Sequence, residues 1–158
     1  MSLATWKEEF YPIPADKAKG DALTAVDHSL KKWEGLRADN MKRHGCYAAG
    51  SAISDDPLHV VTDDGTMLLN CETCALCKYK DSIDGDRGYC DKCPITLATG
   101  SPCDDLYADD DGDDEAAVIP WDEWTARQNP EPMIAVLETT RKWLLGQLDE
   151  HNERPEER

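Results

Sequence analysis

The chain has 158 residues, room for one domain with a real core, and carries 33 acidic against 17 basic side chains, a formal net charge of −16. So acidic a surface repels nucleic-acid phosphates and anionic membranes, and no apolar run reaches the ~18 residues of a spanning helix, so neither direct nucleic-acid binding nor membrane insertion is expected. The first residues, MSLATWKEEFYPIP, have no basic region followed by an apolar stretch, so a secretory leader is not expected and the reading is cytoplasmic.

In a reducing cytoplasm, seven cysteines read as metal ligands or redox groups rather than as a disulfide framework. The charge is uneven: residues 1–50 sum to +1, residues 51–103 to −5 and residues 104–158 to −12. Asp outnumbers Glu 21 to 12, which suits a salt-adapted host, although ten Lys against seven Arg suits it less.

In chain order, Tyr11-Pro12-Ile13-Pro14 is an extended arm. Asp21 is placed to cap a helix whose apolar stripe is Leu23, Val26, Leu30 and Trp33, closed by Gly35. Ala38–Arg43 reads as a short second helix closed by His44-Gly45. Trp33 reads as core and His28 as a surface or helix-packing residue. Residues 45–57 are small and polar and end in the turn signal Asp56-Pro57. Leu58–Val61 and Thr66–Leu69 flank Thr62-Asp63-Asp64-Gly65, two β-prone runs around Asp-Gly that predict a hairpin leading into the cysteines.

The cysteine segment reads CETCALCKYKDSIDGDRGYCDKCP, Cys71 to Pro94. Within it, Cys74-x2-Cys77-x12-Cys90-x2-Cys93 has the spacing of a four-thiolate zinc site. A tight turn lets two sulfurs reach adjacent corners of a tetrahedron, and two such turns close it. A closed site leaves no position for a substrate water, so this zinc would be structural. Cys103 is a possible substitute ligand. Cys71 extends the first pair to Cys-x2-Cys-x2-Cys, and Cys93 precedes a proline, as in ferredoxin runs, so an iron–sulfur cluster is the alternative. Cys46 reads as a buried thiol.

After Cys103, eight of the twelve residues Asp104–Glu115 are acidic, which predicts a solvated loop. Setting Gly112 at the sixth position of a calcium loop puts Tyr107 first and Val118 last, so no such site is expected. Trp121 and Trp124 are placed to cover one face of a short helix. Asn129-Pro130-Glu131-Pro132 enters a long helix with Met133, Val136, Leu137, Thr140, Leu144 and Leu148 on one face and Arg141-Lys142 off it. The fold expected is α+β: one domain over 1–148, mainly helical, with helices in 21–43, a β-hairpin and a four-cysteine knuckle of zinc-ribbon or treble-clef type over 58–103, an acidic loop over 104–117 and a helix over 131–150. Residues 149–158 are expected to fray.

CALC at Cys74–Cys77, CDKCPITLATG at Cys90–Gly100, Cys103, Pro120-Trp121 and the C-terminal helix together resemble a family of small uncharacterised Cys-rich proteins found in tailed phages, prophages and some microbial genomes. Its members begin with a helix like HSLKKWEGL, His28–Leu36, and the resemblance spans roughly residues 21–148. It implies Cys74, Cys77, Cys90, Cys93 and Cys103 as the metal-linked set and assigns no activity. Cys71 and the acidic insert depart from it.

No phosphate-binding glycine loop, nucleophile motif or deaminase signature is present, and the four histidines are scattered, so an enzyme is not expected. The leading reading is a zinc-binding protein acting by protein interaction, with Asp109, Asp110, Asp111, Asp113 and Asp114 facing a basic host protein and mimicking nucleic acid. A nucleic-acid-binding zinc module is the second reading. Its basic face is missing, because Lys78, Lys80, Arg87 and Lys92 are balanced by Asp81, Asp84, Asp86 and Asp91.

Overall fold

A computed structural model of the chain describes residues 2–50, 58–85, 90–103 and 120–153. The first helix, α1 (Leu3–Phe10), lies in a stretch from which sequence reading drew no element. Its signals are local. Ser2 accepts from the Thr5 N–H while Thr5 Oγ1 accepts from the Ser2 N–H, a capping box, and Leu3, Trp6 and Phe10 at spacings of three and four are all buried. A single 3-10 turn at Ala15–Lys17 then leads to α2 (Ala22–Gly35), capped by Asp21, whose Oδ1 accepts from the Thr24 N–H at 2.8 Å.

Helix α2 is the hub of the molecule. It packs on α1, on α4 (Ala75–Asp84) and on the long α7 (Glu131–Glu153). That is why two stripes are buried on it: Val26, Leu30 and Trp33, and beside them Ala25, Ser29, Lys32 and Leu36. His28 is buried too, its Nε2 2.8 Å from the Ile13 carbonyl and its ring edge-on to Tyr11.

The short helix α3 (Ala38–Arg43) leads to a three-stranded antiparallel sheet of β1 (Tyr47–Ala49), β2 (His59–Thr62) and β3 (Gly65–Leu68), in that order. The hairpin is where it was expected, with Thr62 paired to Gly65 and a two-residue connection, Asp63-Asp64. Strand β1 falls in the stretch read as a polar loop. The hairpin connection reaches back to the start of the chain: Asp64 Oδ1 accepts from the Leu3 N–H at 3.1 Å. The architecture is therefore α+β.

Helices α5 (Pro94–Thr99) and α6 (Pro120–Arg127) both pack on α7. Trp33 is core, as expected, and meets both tryptophans of α6 edge-on, with centroids 6.0 Å from Trp121 and 5.7 Å from Trp124. On α7, Met133, Ile134, Leu137 and Thr140 are buried, while Leu148 is 51% exposed, so the helix runs on past the core. It extends to Glu153, beyond the expected end at 150. No described helix is long and apolar enough to cross a membrane.

Candidate thiol site

The cysteine segment is built by two matching turns. Asn70 starts the first: its Oδ1 accepts from the Glu72 N–H at 2.9 Å, and Thr73 Oγ1 accepts from the Asn70 N–H at 3.2 Å. This winds Cys71–Thr73 into one 3-10 turn, closed by the Cys74 N–H donating to the Cys71 carbonyl at 3.3 Å. Cys74 is then the N-cap of α4, and Cys77 lies in that helix's first turn. The second turn repeats the pattern. The Cys93 N–H donates to the Cys90 carbonyl at 2.9 Å, Cys93 is the N-cap of α5, and Pro94 is its first residue.

The turn that matches Cys90/Cys93 is thus Cys71/Cys74, one step upstream of the Cys74/Cys77 pair singled out by spacing. Cys77 still joins the group, because it shares side-chain hydrogen bonds with both Cys71 and Cys74. Cys93 is in electrostatic reach of both Cys74 and Cys90. All seven cysteines are thiols rather than disulfides. Cys46 stands apart, buried as expected, its Sγ 3.8 Å from the His44 carbonyl.

The thiols are electrostatically unequal. The hydrogen bond from Cys77 holds Cys74 well below the ordinary thiol range, burial works against it, and the Lys32 ammonium adds to the lowering. Cys77 is pushed the other way by its hydrogen bonds with Cys71 and Cys74 and so keeps its proton. Burial pushes Cys93 up to about 12.

Two lysines that spacing arguments passed over complete the site. Lys32, on α2, is 3% exposed, and its Nζ donates to the Thr73 carbonyl at 2.8 Å. Burial pulls its pKa down, while Cys74, Cys77, Cys103 and Cys71 oppose that pull. Lys80, 7% exposed, pairs with Asp81 at 2.8 Å and feels Cys90 and Cys77. Lys32 lies on the row Ala25, Ser29, Lys32, Leu36, spaced four, three and four along α2, which the apolar pattern of the sequence does not mark because two of its four residues are polar.

Among the described residues, no three His, Cys, Asp or Glu side chains stand in the arrangement of a metal site. The sulfurs of Cys74, Cys77, Cys90 and Cys93 are not close enough together to form such a group, and the expected zinc knuckle is not seen. The acidic residues Asp109, Asp110, Asp111, Asp113 and Asp114 lie outside the described residues, as does the rest of the 104–117 segment. Compared with known proteins, the chain matches no family model, no curated protein and no solved structure. The donors of the site are soft thiols next to buried cations, a set that suits zinc or an iron–sulfur cluster and suits calcium or magnesium poorly.

Proposed function

We propose that this chain is a small acidic metal–thiolate protein that works by binding a basic protein partner. The observation that carries the reading is that Cys71, Cys74, Cys77 and Cys103 lie in electrostatic reach of one buried lysine, and Cys93 in reach of Cys74 and Cys90, in a chain of net charge −16. One zinc ion would be held by Cys74, Cys77, Cys90 and Cys93, with Cys103 as a substitute ligand, as a knuckle that ties α4 to α5. Four thiolates close the coordination sphere, so the metal stabilises the fold and performs no chemistry. The acidic segment with Asp109, Asp110, Asp111, Asp113 and Asp114 would engage the partner, presenting charge in the manner of a nucleic acid to a basic, cytoplasmic, nucleic-acid-binding protein of the host. A phage or prophage setting fits that role, with a defence or transcription protein as target.

Elemental analysis of the purified chain tests the metal, with about one zinc per chain expected. Capture from host lysate tests the partner: the chain retains a basic protein, and replacing the five named aspartates by Asn weakens capture and removes most of its salt dependence. Salt-insensitive capture that survives the replacement overturns the role given to the acidic segment. A second metal reading has one observation in its favour. Cys71 and Cys74 both hydrogen-bond with Cys77, so the Cys-x2-Cys-x2-Cys run is itself gathered, as the first three ligands of an iron–sulfur cluster would be. Iron with acid-labile sulfide in place of zinc selects it.

A further inference from the structure

Among the described residues, Lys32 is the most deeply buried lysine. It sits on the central helix, 3% exposed, with one hydrogen bond to a carbonyl, that of Thr73 at 2.8 Å. Among the described residues, no carboxylate forms an ion pair with it, in contrast to Lys19, Lys78 and Lys80. Thr73 lies between Cys71 and Cys74, and Cys74, Cys77, Cys103 and Cys71 are all in electrostatic reach of the ammonium. A buried cation needs a buried anion; the lowered Cys74 thiol supplies one at most, while Cys77 and Cys93 keep their protons and supply none.

Thiolates on a metal supply such an anion. Four thiolates on a divalent ion leave a net charge of −2, and three leave −1, whereas two thiolates with two imidazoles leave none. The buried lysine therefore selects among site types. It fits a thiolate-rich, anionic complex and is out of place beside a neutral one. We propose that Lys32 is the internal counter-cation of the cysteine cluster: a positioning residue, not a ligand, which offsets the excess negative charge of a metal–thiolate complex and ties α2 to the turn at Thr73. This rests on the metal reading above. It adds that the site is anionic and that its balancing charge comes from a helix distant from the cysteines in sequence.

The test uses the full chain as wild type, Lys32→Met and Lys32→Arg, each stripped of metal and titrated with zinc against a chelator, and with Co2+ as a spectroscopic probe. Outer-shell partners of metal ligands are worth about 10- to 100-fold in affinity, so the Met variant should bind zinc at least about tenfold more weakly. Its Co2+ complex at saturation should keep the thiolate charge-transfer band of the wild type, because the ligands are unchanged. The Arg variant should recover most of the affinity. Equal affinity in wild type and Met variant overturns the proposal and leaves the metal reading standing. A wild type that takes up no zinc, cobalt or iron overturns both. If the Met variant does not fold, the wild type still decides: loading with zinc should shift the 15Nζ resonance of Lys32, and an unmoved resonance overturns the proposal.

Discussion

A Cβ placed on Gly35 would lie 2.5 Å from Cγ of Phe10. The two residues belong to α2 and α1, and the contact is close because Trp6, one turn before Phe10, donates its indole N–H to the Gly35 carbonyl at 2.9 Å. That bond holds α2 against α1 so closely that only a hydrogen fits between Gly35 and the Phe10 side chain. Gly35→Ala should therefore lower stability by about 1–3 kcal/mol, the usual cost of overpacking, even though alanine is the better helix former. Denaturant unfolding checks it, and a variant as stable as the wild type would mean that α1 is not docked in this way.

The metal reading predicts different outcomes at two buried or half-buried cysteines. Cys77→Ser should lose bound zinc and lower Tm sharply, since metal binding in small zinc domains is worth an apparent ~10 kcal/mol or more of folding free energy. Cys46→Ala should keep its zinc and lose only about 1 kcal/mol of packing. Metal content and melting curves of the two variants, measured side by side, separate a site-specific effect from the loss of any thiol. Full zinc in the Cys77 variant would remove that residue from the ligand set.

Acid should weaken the α1–α3 contact. Arg43 makes two hydrogen bonds of 2.7 Å to the Glu9 carboxylate, and His44 Nε2 lies 2.8 Å from it. Arg43 first and His44 second lower the Glu9 pKa from 4.5 to about 2. Above pH 4.5 Glu9 is ionised in both folded and unfolded chains, and its contribution to stability is complete. As pH falls from 4.5 towards 2, the unfolded chain takes up a proton that the folded chain refuses, so the contribution is progressively lost. Glu9→Gln should flatten the stability–pH curve over that interval. The pair is exposed, so the change is small, and high salt should shrink it further.

Nucleic acid should not bind directly. With a net charge of −16 and no basic stripe, a mobility-shift titration at physiological salt should give no complex. Submicromolar binding would overturn the electrostatic argument, and the mimic with it.

What could be read from the chain, and what could not, divides along burial. The hairpin was legible because Asp-Gly between two β-prone runs is a local signal, and its strands begin and end within one residue of the expected bounds. Trp33 with Trp121 and Trp124 was legible because large aromatics at helical spacing have few alternatives to a core. Helix α1 was missed although its Ser2/Thr5 box and its Leu3, Trp6, Phe10 stripe are as local as the hairpin. Lys32 was missed for a deeper reason. Periodicity marks which residues are apolar, and a lysine on a second buried stripe shows no such mark. Only the packing of distant segments on α2, α4 and α7 among them, makes that stripe interior. Spacing found the cysteines but paired Cys74 with Cys77, because two Cys-x2-Cys steps overlap at Cys74. Backbone hydrogen bonding, which spacing cannot see, gives the turn to Cys71 and Cys74.

The central place of α2 also sets the order in which this molecule can be made. Its faces are covered by an early helix, α1, by the cysteine segment, and by α7, whose Arg141 reaches Asp27 across 114 residues of sequence. Most of the covering surface is synthesised long after α2 has left the ribosome. Until then, Val26, Leu30 and Trp33 have little but water or a chaperone against them. Loop-closure entropy must be met before those distant contacts form, so folding waits on the last helix and is slower than the helix content suggests. A nascent chain stalled before Met133 would present a sticky half-core, and its handling in the cell would depend on how quickly the remaining residues arrive.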